Sequence, residues 1–254
     1  MGQKVALEAK QEADRVSVLN ADTEAERLES SLTYGDGGYT KVSAESIYGP
    51  DADRSQPFVN RFVGQYDTGM NEIRGRLRND AQRAAFDQLR SRRLVAFEGR
   101  LSAYDSQMIT KYKVDTGKAA IDTAGDTILG AYNDPVKITE ALARLRAGVS
   151  TLAGAQGWAS ETTQSAMRAM ESKALASAVD RALDNGQPEQ AANLELQFGG
   201  LITAQDKAKL EKRTQMLAAR REVSAERTVE SFRNAMLIGD IDPLTISQGL
   251  DAVR

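Results

Sequence analysis

The sequence predicts an all-α fold: an elongated multi-helix bundle with a long central helix and a C-terminal half of helix-turn-helix units. Three observations predict it. Apolar residues recur at steps of three and four through most of the 254 residues, as on the buried stripe of a helix. Ala, Leu, Arg, Glu, Gln and Asp dominate, most of them good helix formers, and long β-branched runs are absent. The five prolines (Pro50, Pro57, Pro135, Pro188 and Pro243) stand at joints between periodic stretches.

Residues 3–33 read as a charged amphipathic helix. Its stripe of Val5, Val16, Leu19, Leu28 and Leu32 is thin, which predicts a peripheral helix or one that orders only on a partner. Tyr34-Gly35-Asp36-Gly37-Gly38-Tyr39-Thr40 is a break whose glycines permit tight turns and whose Asp36 can cap them. A phosphate-cradling loop would need G-x-x-x-x-G-K-[ST] after a strand, and a calcium loop would need spaced oxygen ligands ending in Glu. Neither pattern is present, so the segment reads as a structural turn, and the chain stays irregular to Pro57.

The strongest periodic signal follows. Phe58, Phe62, Tyr66, Met70, Ile73 and Leu77 step by 4, 4, 4, 3 and 4. Asn79 can cap the next helix, with Gln82 at its third position as in a capping box. From Asn79 to Tyr132 no proline intervenes, and Phe86, Leu89, Phe97, Leu101, Tyr104, Met108 and Tyr112 mark one face. If unbroken, this helix is roughly 80 Å long at about 1.5 Å per residue. Residues 58–78 pair with its first part as a helical hairpin. Past Tyr112 the stripe turns to small residues (Gly117, Ala119, Ala120, Ala124), which predicts close helix approach or a break near Gly117.

Asn133-Asp134-Pro135 restarts a helix, with Asp134 as N-cap, carried by Ile138, Leu142, Leu145, Val149 and Leu152. After Gly154–Gly157 and Trp158, Ser160 is expected to cap a helix through Met167, Met170, Leu175, Val179 and Leu183. Gly186 closes it in a left-handed conformation, Pro188 opens a short helix through Ala191, Leu194 and Phe198, and Gly199-Gly200 breaks that. Thr203 and Asp206 resemble a capping box for a charged helix to Leu237; a short helix from Leu244 to Val253 follows Gly239, Asp242 and Pro243. The units between 135 and 215 have a tetratricopeptide-like (TPR-like) character without a fixed period. The joints divide the chain into a charged helix with a glycine-rich loop (1–57), a long helical hairpin (58–132) and a bundle of short helix-turn-helix units (133–254).

Composition narrows function by exclusion. The chain has no cysteine and no histidine. That removes disulfides, thiol nucleophiles, zinc sites of the usual Cys/His kind, histidine-ligated haem and any Ser-His-Asp triad. A net charge of −3, from 33 basic and 36 acidic residues, argues against a general nucleic-acid binder. The short basic pieces Arg90-Ser91-Arg92-Arg93 and Arg220-Arg221 are flanked by acids and read as solvated helix faces. Met1–Glu8 has no apolar core segment, so no secretory signal is expected there, and no apolar run approaches a membrane span.

Carboxylates four apart on a helix (Glu8 with Glu12, Asp22 with Glu26) could bind a metal or do acid–base work. Lys4, Arg15 and Arg27 surround them, and they read as surface charge. Glu98 and Asp105 flank the aromatic stripe without a convergent partner in sequence, and no Glu-x-x-His pair of the di-iron kind occurs. Met70, Met108, Met167, Met170 and Met216 read as core filling, and Trp158 as an anchor between helices. No catalytic, cofactor-binding or metal-ligating residue is assigned, no cofactor is expected, and the chain reads as a non-enzyme.

Two stretches carry a family resemblance. One is Tyr34–Thr40 after a charged helix. The other is Tyr66-Asp67-Thr68-Gly69-Met70-Asn71-Glu72-Ile73, continuing into Leu77-Arg78-Asn79-Asp80-Ala81-Gln82-Arg83-Ala84-Ala85-Phe86. With the long helix and the Tyr132–Pro135 restart, roughly residues 1–220 resemble large helical virion proteins of tailed bacteriophages and prophages. These are of the internal virion or ejection type and are often much longer than this chain. The resemblance implies a protein packaged in the capsid interior or near the portal and tail, which leaves through the tail. It then reassembles as a homo-oligomer in the host envelope or periplasm, as part of a conduit for genome delivery. Implied partners are other portal, tail or ejection proteins, with transient contact to genome DNA or host envelope and no small-molecule substrate. Some such proteins carry a lytic transglycosylase domain, and nothing here resembles its catalytic Glu and groove. The alternatives are a non-catalytic helical arm of a virion-associated peptidoglycan hydrolase, or a portal- or tail-associated scaffold.

Overall fold

The computed structural model describes residues 2–238; the expected helix at 244–253, with Gly239, Asp242 and Pro243 before it, lies outside the described residues. Within them the chain is all-α, with no strand. Eight α-helices follow in order: α1 (Gly2–Tyr34), α2 (Ala44–Tyr48), α3 (Phe58–Gly75), α4 (Asp80–Gly130), α5 (Pro135–Gln156), α6 (Ser160–Asp184), α7 (Pro188–Phe198) and α8 (Ala204–Ile238). Short 3-10 turns lie at Tyr39–Lys41 and Gly199–Leu201.

The long helix is continuous: α4 runs for 51 residues through Gly117 without a break. Its start is capped by Asn79 as the sequence predicts, with the reciprocal arm of the expected box reaching Arg78 in place of Asn79. Asn79 Oδ1 accepts the Gln82 N–H at 2.9 Å, and Gln82 Oε1 reaches back to the Arg78 N–H at 2.8 Å.

By packing, the chain falls into two units, one of residues 1–116 with 154–156 and one of 117–153 with 157 onward. This grouping differs from the expected joints at 57 and 132, for a physical reason. Residues before Pro57 share the core of the α3–α4 hairpin, while the last turns of α4 share the core of the later helices.

In the first unit, Phe58, Phe62, Tyr66, Met70, Ile73 and Leu77 are all buried, as their period predicts. They meet Phe86, Phe97 and Leu101 of α4. Tyr39, from the glycine-rich loop, sits among them with ring centroids 5.9 Å from Phe62, 6.1 Å from Phe97 and 5.3 Å from Tyr104. All three pairs are edge-on, the geometry aromatic rings prefer. The loop is therefore a structural turn that delivers a core residue. The stretch after it is less irregular than expected. Ser43 accepts the Ser46 N–H and caps the five-residue α2.

Helix α1 seats differently from its thin stripe. Ala21 and Ala25 are buried and Leu28 and Leu32 half-buried, while Val5, Val16 and Leu19 are exposed. At 100° per residue these two sets lie on opposite faces of the helix. The cause is close approach: the Leu28 side chain covers Gly69 of α3, where an added Cβ would come within 2.5 Å of Leu28 Cδ2.

In the second unit, Ile138, Leu142, Leu145 and Val149 pack with Leu175, Val179 and Leu183, closed by Leu194, Phe198 and Leu210. Ala124 and Ile128 of α4 join this core, so the small-residue end of the long helix packs within its own chain. At Gly117 and Gly148 the α4 and α5 backbones touch: a Cβ on either would lie 3.0 or 2.9 Å from the other's carbonyl oxygen. Asp134 caps α5 through the Lys137 N–H, and Gly186 (φ 72°) ends α6 in the left-handed region as predicted. One cap is corrected. Ala159, with no side-chain bond, precedes α6, and Ser160 lies inside its first turn.

Candidate functional site

The charged residues singled out in the sequence are mostly structural attachments. Glu8 and Glu12 are exposed, on the part of α1 where no residue from 3 to 13 is buried. Asp22 and Glu26 are not simply solvated. Together with Glu29 they surround the Arg93 guanidinium: Nε donates to Asp22 Oδ1 at 2.7 Å, Nη2 to Glu26 Oε1 at 2.9 Å and Nη1 to Glu29 Oε1 at 3.4 Å. Glu29 also accepts from Arg100 at 3.0 Å, and Glu24 from Arg76 at 2.7 Å. Within Arg90-Ser91-Arg92-Arg93, Arg90 bonds Asp67 and Asn71 of α3. Half of that basic piece is thus consumed in holding helices together.

The capping pair of α4 serves the same end. The side-chain amides of Asn79 and Gln82 both donate to Asp14 Oδ1 on α1, at 2.9 and 2.7 Å. Those bonds hold the Asp14 carboxyl below the usual carboxylate range.

Asp105 does find a partner. The Tyr48 hydroxyl of α2 donates to its Oδ1 at 2.5 Å. Burial, then the adjacent carboxylate, push the Tyr48 hydroxyl pKa up. This pair borders a cleft of about 310 Å³ together with Arg54, Phe58 and Arg61. Arg61 is engaged by rings, its guanidinium carbon 5.7 and 5.0 Å from the Phe58 and Phe62 centroids. Two of the cleft's charged side chains, Asp105 and Arg61, are thus engaged by neighbouring groups.

In the second unit, Ser172 is fully buried and links α6 to the start of α8. Its hydroxyl donates to Asp206 Oδ2 at 2.5 Å and accepts the Thr203 N–H at 2.9 Å. Of the expected Thr203–Asp206 box one arm forms, the Asp206 N–H donating to Thr203 Oγ1 at 3.3 Å, while the Thr203 N–H goes to Ser172 instead; side-chain hydrogen bonds, chiefly from Ser172, lower the Asp206 pKa to about 2. Glu171, also buried, pairs with Arg146 of α5. Among the described residues no group of three or more His, Cys, Asp or Glu could hold a metal ion, and no helix is long and apolar enough to cross a membrane.

What the geometry leaves open is apolar helix surface. On α1, Val5, Leu7, Val16 and Leu19 are 46–65% exposed. Leu19 and Val18 border a shallow groove of about 490 Å³ against Ala81, Ala85 and Leu89 of α4. On α8, Met216, Val223 and Val229 are 46–50% exposed. A second groove, about 630 Å³, lies between α7 and α8 beside the exposed Leu196. Of the singled-out methionines, Met70 is buried and Met167 and Met170 are partly so, while Met216 faces out. Trp158 is half-buried. Comparison with known protein families, with curated proteins and with solved structures finds no match for this chain.

Proposed function

We infer that this protein is a non-enzymatic structural protein of a tailed-phage virion, of the internal or ejection type. It acts as an oligomer that helps form a conduit for genome delivery across the host envelope. The resemblance of residues 34–40 and 66–86 to such proteins supplies the family. The observation that supports an assembling role is the uncovered apolar surface of the two long charged helices. Val5, Val16 and Leu19 occupy the face of α1 opposite the one seated on its own core, and the exposed Met216 and Val223 share one face of α8. Such stripes on helices of 33 and 35 residues suit pairing with further helices, whether from copies of this chain or from other portal, tail or ejection proteins. In this reading the protein resides in the virion and then in the host envelope or periplasm.

Size-exclusion chromatography with light scattering tests the assembling role. A concentration-dependent oligomer is expected, weakened when Val16 and Leu19 are both changed to Glu. A strictly monomeric species at all concentrations contradicts it.

A further inference from the structure

We propose that α1 is a charge-held strap over the α3–α4 hairpin, able to lift off while the aromatic core of that hairpin remains folded. This goes beyond the assembling role and stands without it.

The argument begins with what α1 contributes to the core. None of its residues from 3 to 13 is buried. Between Asp14 and Thr33 its only fully covered apolar side chains are Ala21 and Ala25, with Leu28 and Leu32 half-covered. Alanines bury little apolar area, at about 25 cal/mol per Å². The large rings that make the core (Tyr39, Phe58, Phe62, Tyr66, Phe86 and Phe97) all lie outside α1.

What holds α1 is polar and specific. Asp14 bonds the Asn79 and Gln82 amides, Asp22, Glu26 and Glu29 converge on Arg93, Glu29 also takes Arg100, and Glu24 takes Arg76. Arg93 is the centre, because three of the five carboxylates depend on it.

The covalent exit from α1 suits release. Thr33 is followed by Tyr34-Gly35-Asp36-Gly37-Gly38, and then by Tyr39, which is 3% exposed and ringed by aromatics. The aromatic anchor therefore lies after the glycines, and lifting α1 without withdrawing Tyr39 costs one further bond, that of the Thr40 hydroxyl to the Thr33 carbonyl. An element with few buried apolar contacts and many half-exposed polar ones opens at lower free energy than its neighbours.

Hydrogen exchange read by mass spectrometry on the full chain tests this. In the native protein, peptides within residues 14–33 are expected to exchange faster than peptides within 58–75 and 86–104. Arg93→Met should raise exchange in 14–33 by about tenfold or more, because it removes the charged hydrogen bonds to three carboxylates, and leave the hairpin peptides unchanged. If that variant fails to fold, the native protein at about 1 M salt, where screening acts over roughly 3 Å, gives the same reading. Equal protection of α1 and hairpin, acceleration of both together, or no acceleration of α1 overturns the proposal.

Discussion

Adding one methyl group at Gly117 should distinguish a backbone crossing from an ordinary helical glycine. Gly→Ala inside a helix gains about 1 kcal/mol from propensity alone. Gly125, in the same helix and the same packing unit, has nothing within 4 Å of an added Cβ, so Gly125→Ala should show that gain. At Gly117 the new Cβ meets the Gly148 carbonyl oxygen at 3.0 Å and the Leu152 nitrogen at 3.1 Å. Both are backbone atoms of α5 and cannot rotate away. Overpacking of this kind costs about 1–3 kcal/mol, so Gly117→Ala should lie that far below Gly125→Ala. Gly148→Ala, 2.9 Å from the Gly117 carbonyl oxygen, should fall alongside it. For a chain of this size each kcal/mol moves Tm by about 2–4 °C, so thermal denaturation followed by circular dichroism resolves the difference. Equal stabilisation by Gly117→Ala and Gly125→Ala would refute the close crossing of α4 and α5.

Two further outcomes follow from single buried groups. The Tyr66 hydroxyl is fully buried with no hydrogen-bond partner among the described residues, while its ring stacks on Phe97 at 4.9 Å. Tyr66→Phe keeps the ring and removes an uncompensated polar group, so urea denaturation should show stability unchanged or raised by about 1 kcal/mol; a loss of that size would mean the hydroxyl is bonded. The Asp206 carboxyl, with its pKa lowered to about 2 mainly by Ser172, is stabilising while ionised. Its contribution, about 1–2 kcal/mol after solvent screening, is present above the unfolded value near 4 and lost as pH falls toward 2. Asp206→Asn should remove that part of the acid dependence of unfolding, and an unchanged acid profile would contradict the assignment.

Where large side chains repeat on one face, the structure follows the sequence closely. The Phe58–Leu77 stripe and the Ile138–Leu152 stripe are buried at every marked position because only one face of each helix can satisfy them. The caps at Asn79, Asp134 and Thr203 were equally legible, since a cap is a contact over three residues. Contacts between distant residues were not. Arg93 reaches carboxylates 64 to 71 positions away, and nothing local to Arg90–Arg93 names them. The seat of α1 is not legible from its Val and Leu alone: only Leu28 and Leu32 of that stripe face the core, Leu28 over Gly69, and the buried positions between the helices are Ala21 and Ala25. Tyr39 was hidden for a related reason: a lone aromatic in a glycine-rich turn has no period, and only the neighbouring rings reveal its place. The pairing of Tyr48 with Asp105 spans 57 positions and gives no sequence signal either.

Under the ejection reading proposed above, the protein leaves the particle with the genome. Quantitative mass spectrometry of intact virions and of virions emptied by triggered ejection tests it most directly. The ejection reading predicts peptides of this chain in intact particles at several copies each, and their loss from emptied ones. Retention in emptied particles at the same ratio to capsid protein would contradict it and identify a resident scaffold instead.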